Sequence, residues 1–206
     1  VEKDSRLGGT CLLRGCIPSK ALLHVGRVVA EVREMQDWGV HFSAPKIDIN
    51  AVRDRKEKVI DALTGGLAQL AKRRNVKVVQ GQGMFTASNT LEVIQQDAGS
   101  QKITFDHCIL ASGSRPARIP AFDIGSSRVM DSTGALQLED IPESLLVVGG
   151  GYIGLEMGTV YAELGSRVSV VELTDSLLPG ADRDLVKPLH KRLGDLFEAI
   201  RLNTKV

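Results

Sequence analysis

The chain has 206 residues, which corresponds to one or two domains of ordinary size. Apolar residues make up 43% and charged residues 25%, a composition that is typical of a folded globular protein and excludes a disordered one. The net charge is +1 and aromatic residues are only 4%, which argues against a nucleic-acid surface and against binding to acidic membranes.

Hydropathy and cysteine content exclude two further classes. No apolar run approaches the roughly 18 residues that a membrane span needs, and the longest candidate, residues 145–155, contains three consecutive glycines. Three cysteines are few and odd in number, which argues against a secreted disulfide scaffold. We therefore expect a cytoplasmic location, or the mitochondrial matrix if the source is eukaryotic.

A glycine-rich loop and two helices make up the first part of the chain. The loop covers residues 7–16, and Pro18 suits the first turn of a helix that Gly39 ends. Apolar side chains spaced by threes and fours predict a second helix over residues 51–74.

Short strands follow the second helix. Apolar runs bounded by turn residues predict strands over 76–79, 91–94, 102–105 and 107–110. The first three are expected to form a small antiparallel meander before His107, and Cys108 is expected to be buried in the fourth. Residues 112–127 are a connector, with a domain boundary near Pro116.

The remainder of the chain alternates between strands and helices. The order is strand 145–148, a glycine turn, helix 153–164, strand 167–172, a helix beginning near Asp184 and a strand near Ile200. Asp131 is placed to cap a short helix before them. This alternation predicts a parallel sheet.

The glycine turn matches the dinucleotide-binding pattern G-x-G-x-x-G. Its residues are Gly149, Gly150, Gly151, Tyr152, Ile153 and Gly154. It follows an apolar strand, opens a helix and precedes a strand that ends in Glu172, 18 residues after Gly154. Glycines let backbone N–H groups approach a pyrophosphate, and a carboxylate accepts bonds from ribose hydroxyls but repels a 2′-phosphate. The pattern predicts an NAD site rather than an NADP site; the alternative is a glycine turn without a ligand.

The first residues of the chain repeat the end of that unit. Val1 and Glu2 precede a polar turn, as Val171 and Glu172 do. If Glu2 has the same role, the matching glycine motif lies about 20 residues upstream, outside the chain. We therefore expect a first dinucleotide-binding unit truncated at its N-terminus. The alternative is a frayed strand with a solvated glutamate.

Two cysteines lie close together in the glycine-rich loop. On a regular helix the Cα atoms of Cys11 and Cys16 would be about 8.6 Å apart, too far for a disulfide. A disulfide therefore needs a distorted turn, which Gly15 can supply. Zinc binding and unpaired buried thiols remain alternatives, although no further ligand spacing supports zinc. Lys20, four residues after Cys16, would favour a thiolate, unless it lies on a solvated face.

Three segments resemble one known family. Residues 8–23 resemble the redox-active segment of dihydrolipoamide dehydrogenases, which are flavin-dependent pyridine nucleotide-disulfide oxidoreductases. The most specific string is Cys16-Ile17-Pro18-Ser19-Lys20. Residues 111–116 resemble the family's second FAD motif, and residues 149–156 resemble its NAD motif. The resemblance covers the whole chain in order.

The resemblance implies a role for each matching residue. The FAD-binding residues would be Glu2, Gly8, Gly9, Thr10, Cys11, Lys20, Gly83, Ser112 and Gly113. Cys11 would exchange with substrate, and Cys16 would face the flavin as a thiolate after the disulfide between them is reduced. Lys20 would pair with Glu156 near the flavin, which makes the catalytic set Cys11, Cys16, Lys20 and Glu156. The NAD-binding residues would be Gly149, Gly150, Gly151, Tyr152, Ile153, Gly154, Glu172 and Val206, with Tyr152 shielding the nicotinamide pocket.

The resemblance also implies a fold and a reaction. The fold would be α/β, with two Rossmann-like domains of the three-layer ββα type: a partial FAD-binding domain over residues 1–116 and a partial NAD-binding domain over 117–206. A C-terminal dimerisation domain would lie outside the chain. The complete protein would be a homodimer that oxidises dihydrolipoamide on lipoyl domains of 2-oxoacid dehydrogenase complexes and reduces NAD, with FAD and no metal.

Two alternative functions stay open, and the sequence differs from the family pattern at one place. A glutathione or mercuric reductase would run from NADPH, which Glu172 disfavours, and a non-catalytic NAD-binding module would make the cysteines incidental. The isolated chain is expected to be inactive and to bind FAD poorly. The family usually has Asn-Val where this chain has Leu13 and Arg14, and we expect the charge of Arg14 to stabilise a thiolate.

Overall fold

The computed structural model describes residues 1–95 and 99–206. The helices are α1 (Gly9–Arg14), α2 (Cys16–Glu34), α3 (Ile49–Arg73), α4 (Ser132–Gln137), α5 (Tyr152–Leu164) and α6 (Arg183–Leu196). The strands are β1 (Gln82–Ala87), β2 (Thr90–Gln95), β3 (Gly99–Thr104), β4 (Ser144–Val148), β5 (Arg167–Val171) and β6 (Ala199–Arg201). Short 3₁₀ turns cover Met35–Trp38 and Pro120–Phe122. Within the described ranges, no helix is both long enough and apolar enough to cross a membrane.

The first sheet is the predicted antiparallel meander, but its first strand was placed wrongly. β1, β2 and β3 pair in chain order, and Phe85 packs edge-to-face on Phe105 with ring centroids 6.0 Å apart. The first strand is β1 rather than residues 76–79. Among the described residues those four belong to no ladder, and the bridge next to them joins Gln80 in parallel to Glu2.

The predicted strand over residues 107–110 is also wrong. These residues form no ladder, Ile109 is 92% exposed and Cys108 is exposed rather than buried. An apolar pattern predicts burial, but a strand also needs a hydrogen-bonded neighbour. No strand of the described part of the chain pairs with these residues.

The second sheet confirms the strand–helix alternation and the α/β class. β4 pairs in parallel with β5, and β5 in parallel with β6. Helices α5 and α6 connect these strands and contribute to a core with β5; the fully buried members include Val160, Tyr161, Val168, Val170 and Leu177. Asp131 caps α4 as predicted, since its carboxylate accepts a hydrogen bond from the Gly134 N–H at 2.9 Å.

Helices α2 and α5 pack against each other and join the two parts of the chain. The Cβ of Glu163 lies 3.2 Å from the position that a Cβ on Gly26 would take, so a side chain at Gly26 would require Glu163 to shift. Arg33 of α2 donates hydrogen bonds to the backbone oxygen of Glu163 at 2.8 Å and to its carboxylate at 2.7 Å. Glu163 is buried, and this charged partner satisfies its carboxylate.

Long side chains from α3 and α5 form hydrogen bonds with backbone carbonyls of helix α4. Lys56 of α3 is 3% exposed, and its Nζ donates to the Leu136 carbonyl at 2.8 Å. Tyr161 of α5 donates its hydroxyl hydrogen to the Ala135 carbonyl at 3.0 Å, and burial raises the pKa of Tyr161 to about 12. These side chains bond to carbonyls at the C-terminal end of this short helix, where the Ala135 carbonyl also accepts from the Leu138 N–H at 3.2 Å.

Substitution of Lys56 tests how much this contact contributes to stability. Lys56→Met keeps an apolar stem of similar length but leaves the buried Leu136 carbonyl without its donor, at a cost of about 1–3 kcal/mol. Lys58→Met on the exposed face of α3 is the matched control and should stay within about 0.5 kcal/mol of the wild type. Urea unfolding of the two variants would measure both values, and equal midpoints would contradict the assignment.

Candidate functional site

Gly15 interrupts what would otherwise be one helix through the cysteine pair. Cys11 lies in α1 and Cys16 is the first residue of α2, with Gly15 between the helices at φ −145° and ψ −118°. A Cβ on Gly15 would lie 2.9 Å from the Thr10 oxygen and 3.2 Å from the Cys11 Cα. The chain therefore folds back on Cys11 at a position where only glycine fits. This is the distorted turn that the C-x4-C spacing requires.

The two cysteines interact as thiols. Both are exposed, and a hydrogen bond to Cys16 raises the pKa of Cys11, with some desolvation in the same direction. The charge of Lys20 lowers the pKa of Cys11 but is the smaller influence. Lys20 therefore acts on Cys11 in the predicted direction, towards the thiolate, but the larger influences leave the pKa of Cys11 raised. The dithiol corresponds to the reduced form of a redox pair.

Lys20 is paired with the other half of the chain. Its Nζ donates to Glu156 Oε1 of α5 at 2.6 Å, and this bond raises the pKa of Lys20. Lys20 therefore stays charged at neutral pH. The pairing that the resemblance implies is present, next to the cysteines.

The segment that resembles a second FAD motif lies against the cysteine loop. The hydroxyl of Thr10 donates to the Ser114 carbonyl at 3.2 Å and accepts from the Ser114 N–H at 3.3 Å. A Cβ on Gly113 would lie 3.2 Å from the same hydroxyl oxygen. Residues 104 positions apart are thus brought together. Ser112, Gly113, Gly9 and Thr10 lie within one surface region.

Glu2 and Glu172 occupy the same kind of turn. Glu2 Oε1 accepts from the Asp4 N–H at 2.9 Å, and Glu172 Oε1 accepts from the Thr174 N–H at 2.8 Å. The backbone N–H of each glutamate donates to a neighbouring parallel segment, at Val79 and Arg201 respectively. The similarity that the sequence suggests is therefore present in the backbone geometry.

The glycine turn between β4 and α5 has the shape that a pyrophosphate needs. Gly149 has φ +103°, which favours glycine. A Cβ on Gly154 would lie 2.6 Å from the Gly149 oxygen and 2.9 Å from Val147, so glycine is needed where the helix meets the strand. Nothing lies within 4 Å of the Cβ position of Gly151, which leaves open space at the helix N-terminus. The loop fits a dinucleotide phosphate.

The side chain of Glu172 binds a backbone N–H of this glycine loop. It is 9% exposed, and its Oε2 accepts from the Gly150 N–H at 2.6 Å. The backbone bond from Thr174, followed by the bond from Gly150, lowers the pKa of Glu172. The carboxylate is therefore ionised at neutral pH, and its contribution to stability is lost as the pH falls through this lowered pKa. An ionised carboxylate here opposes a 2′-phosphate.

Three predicted site residues are not engaged with the rest of the site. Gly83 lies in β1, where its Cβ position is 3.1 Å from Leu91 of the meander. Tyr152 is 68% exposed at the start of α5, and Val206 is 60% exposed at the end of the chain. No group of three potential metal ligands is found among the residues described.

Some ion pairs at the site involve residues that no sequence pattern identifies. Asp4, Arg33 and Glu163 each make an ion pair that holds a site element in place, and none belongs to a recognised motif. The expectation for Arg14 is not supported: it pairs with Asp4, while the charges that shift the pKa of Cys11 belong to Cys16 and Lys20.

Comparison with known proteins agrees with this geometry. The family model described as pyridine nucleotide-disulphide oxidoreductase matches residues 1–206. The chain belongs to this family. It is 52% identical to the dihydrolipoyl dehydrogenases of Vibrio parahaemolyticus and Vibrio cholerae and 43% identical to that of Haloferax volcanii. These alignments cover 95–100% of the chain but only 41–43% of the relatives.

Solved structures give the same fold. The HOCl-induced flavoprotein disulfide reductase of Escherichia coli is similar with a TM-score of 0.80 and 30% identity, covering 100% of this chain and 43% of that one. A Mycobacterium tuberculosis protein matches with a TM-score of 0.86 at 24% identity over 98% of this chain and 45% of its own, which supports the fold alone. The chain thus spans less than half of the oxidoreductases that it resembles.

The raised pKa of Cys11 predicts how the reduced protein reacts with iodoacetamide. The alkylation rate of Cys11 should climb with pH to a midpoint above that of an ordinary cysteine, because the thiolate is the nucleophile. Cys16→Ala removes the main cause of the shift and should speed alkylation of Cys11 at pH 7 severalfold. Lys20→Met removes the influence that lowers the pKa and should slow it.

Peptide mass spectrometry would resolve the rate at each cysteine. Cys108 is exposed, makes no contact with the pair and serves as the internal control. A slower reaction of Cys11 in Cys16→Ala would contradict the hydrogen-bond assignment.

Proposed function

We propose that the chain is part of a dihydrolipoamide dehydrogenase that uses FAD and NAD. The observation that carries the proposal is the Cys11–Cys16 pair with Lys20 hydrogen-bonded to Glu156, which connects a thiol pair to the helix that opens with the dinucleotide loop. Relatives at up to 52% identity that bear this name support the substrate class.

The thiol chemistry assigns different roles to the two cysteines. One thiolate of dihydrolipoamide attacks the sulfur of Cys11 in the oxidised pair, which forms a mixed disulfide and releases Cys16 as a thiolate. The second substrate thiol then attacks its own mixed-disulfide sulfur, which forms lipoamide and releases Cys11. Cys11 leaves as a thiolate, and its raised pKa favours protonation of that thiolate by an acidic group of the complete protein.

The remaining residues bind and orient the cofactors. FAD, when bound, would supply the two-electron and hydride chemistry that connects the thiol pair to NAD. Glu2 is placed to accept hydrogen bonds from the FAD ribose, Gly8 and Gly9 leave room along the cofactor, and Lys20 supplies a positive charge near the flavin ring. Gly151 and Glu172 hold the pyrophosphate and ribose of NAD.

This proposal assigns the parts of the chain to domains and partners. Residues 1–116 belong to the FAD-binding domain and residues 117–206 to the NAD-binding domain. The complete protein is a homodimer whose substrate is carried on lipoyl domains of 2-oxoacid dehydrogenase complexes. The small, odd number of cysteines favours a cytoplasmic location.

A second candidate is a disulfide reductase with another oxidant. The similarity to the HOCl-induced flavoprotein disulfide reductase, at 30% identity, favours it. Such an enzyme would pass electrons from the nucleotide to the thiol pair, the reverse direction. Greater identity to the dihydrolipoyl dehydrogenases argues for the first candidate.

Turnover with dihydrolipoamide tests the proposal directly. The full-length protein supplied with FAD should form NADH rapidly from NAD and dihydrolipoamide, and Cys11→Ser and Cys16→Ser should each abolish turnover. Cys108→Ser is the matched control and should keep full activity. An absence of NADH formation, together with oxidation of NAD(P)H by glutathione disulfide or mercuric ion, would favour the second candidate.

The nucleotide preference provides an independent prediction. Glu172→Gln keeps the shape of the side chain and removes its charge, so the ratio of kcat/KM for NAD over that for NADP should fall by about tenfold or more. Glu198→Gln, an exposed carboxylate after α6, should leave the ratio unchanged. An unchanged ratio in Glu172→Gln would show that the charge of Glu172 does not select the nucleotide.

A further inference from the structure

Arg14 stands between the two cysteines but is directed away from them. It is the last residue of α1, and its guanidinium forms an ion pair with the carboxylate of Asp4. The side chains of Arg14 and Asp4 are 37% and 26% exposed, so the pair is partly shielded from water. The charge that the sequence places in the redox loop is therefore neutralised by a residue of the preceding turn.

Asp4 is fixed at three points. Its N–H donates to Glu2 Oε1 at 2.9 Å, its carbonyl accepts from the Gln80 side chain at 2.6 Å, and its carboxylate accepts from Arg14. The first of these bonds sets the orientation of the Glu2 carboxylate. A continuous path of hydrogen bonds therefore runs from the redox loop through Asp4 to Glu2.

The corresponding turn around Glu172 differs from the turn around Glu2 in its hydrogen bonds. There the residue two positions after the glutamate is Thr174, whose N–H donates to Glu172 at 2.8 Å and whose hydroxyl oxygen lies 2.9 Å from both Glu172 Oε1 and the Ser176 carbonyl oxygen. All of these contacts are made within the turn itself. In the first turn Asp4 has no hydrogen to donate from its side chain, and its carboxylate bonds to Arg14 instead.

We propose that Arg14 is a positioning residue that ties the redox loop to the turn presenting Glu2, and that it strengthens FAD binding through Asp4. The inference rests on the proposed FAD-binding role of Glu2. Arg14 fixes Asp4, and Asp4 fixes the Glu2 carboxylate in the orientation that a ribose hydroxyl requires. The charge of Arg14 is used in this ion pair rather than on the thiols.

FAD affinity of the full-length protein tests the proposal. Arg14→Leu should raise the dissociation constant for FAD about fivefold, as expected when a partly shielded ion pair is lost, and flavin fluorescence measures it. Arg14→Lys keeps the charge and should restore affinity to within about twofold of the wild type. Asp4→Asn removes the charge of the same ion pair from the other side and should match Arg14→Leu.

A double-mutant cycle separates a shared contact from two unrelated effects. Arg14→Leu combined with Asp4→Asn should weaken FAD binding no more than either change alone. Arg6→Leu is the matched control, because Arg6 lies in the same segment and pairs with Asp61 of α3 at 2.9 Å. It should change the dissociation constant less than twofold. Additive effects, or an Arg14→Leu value equal to that of Arg6→Leu, would overturn the proposal.

Alkylation of Cys11 distinguishes positioning from a direct charge effect on the thiols. The rate at pH 7 should stay within twofold of the wild type in Arg14→Leu and in Asp4→Asn. If Arg14 acts on the thiols, Arg14→Leu would slow alkylation and Asp4→Asn, which leaves Arg14 unpaired, would speed it. That pattern would refute the assignment.

A failure of the proposed function can be distinguished from a failure of this inference. Glu2→Gln tests the FAD role of Glu2 without touching Arg14, and wild-type protein that retains no flavin would contradict the proposed function itself. If the wild type binds FAD and Glu2→Gln weakens binding while the Arg14 variants do not, only the present inference fails. Should Arg14→Leu not fold, Arg14→Lys and Asp4→Asn still measure the same contact.

Discussion

The packing of α2 on α5 is the constraint on which both halves of the site depend. Lys20 meets Glu156 and, further along, Gly26 meets Glu163, so equal advances along the two helices keep them in contact. At 1.5 Å per residue these pairs are roughly 10 Å apart on each helix, which means that the helices run in the same direction. Their N-termini therefore lie at one end, and these carry the thiols and the dinucleotide loop.

The same packing sets the electrostatics of the thiol pair. Lys20 serves two partners, since its ammonium is bonded to Glu156 and its field reaches Cys11. The hydrogen bond that Cys11 makes to Cys16 outweighs the charge of Lys20 and favours the protonated form of Cys11. Because the thiolate is the reactive form of a cysteine, the raised pKa slows the reaction of Cys11 at neutral pH. The position of α5 thereby affects the reactivity of a cysteine on the other half of the chain.

The sequence predicted those elements whose structure depends on interactions within a single segment of the chain. The glycine turn, the C-x4-C loop and the alternation after Ser144 depend on spacing within one segment, and the structure contains them. Residues 76–79 and 107–110 have strand composition, but no strand in the described part of the chain pairs with either segment, and the pattern within a segment carries no information about its neighbours. The pair of Arg33 and Glu163 spans 130 positions and leaves no periodic signal, because exposed and paired charges look alike in a sequence.

The repetition of one turn in two settings shows how a small change alters the function of a motif. Glu2 and Glu172 both bind the N–H two residues ahead, so the backbone of the turn is the same. Thr174 donates back to its own glutamate and completes that turn locally. The carboxylate of Asp4 can only accept, and the donor that it binds, Arg14, is on the redox loop. Replacing a donor by an acceptor at this one position therefore joins a binding turn to the segment that carries the reactive cysteines.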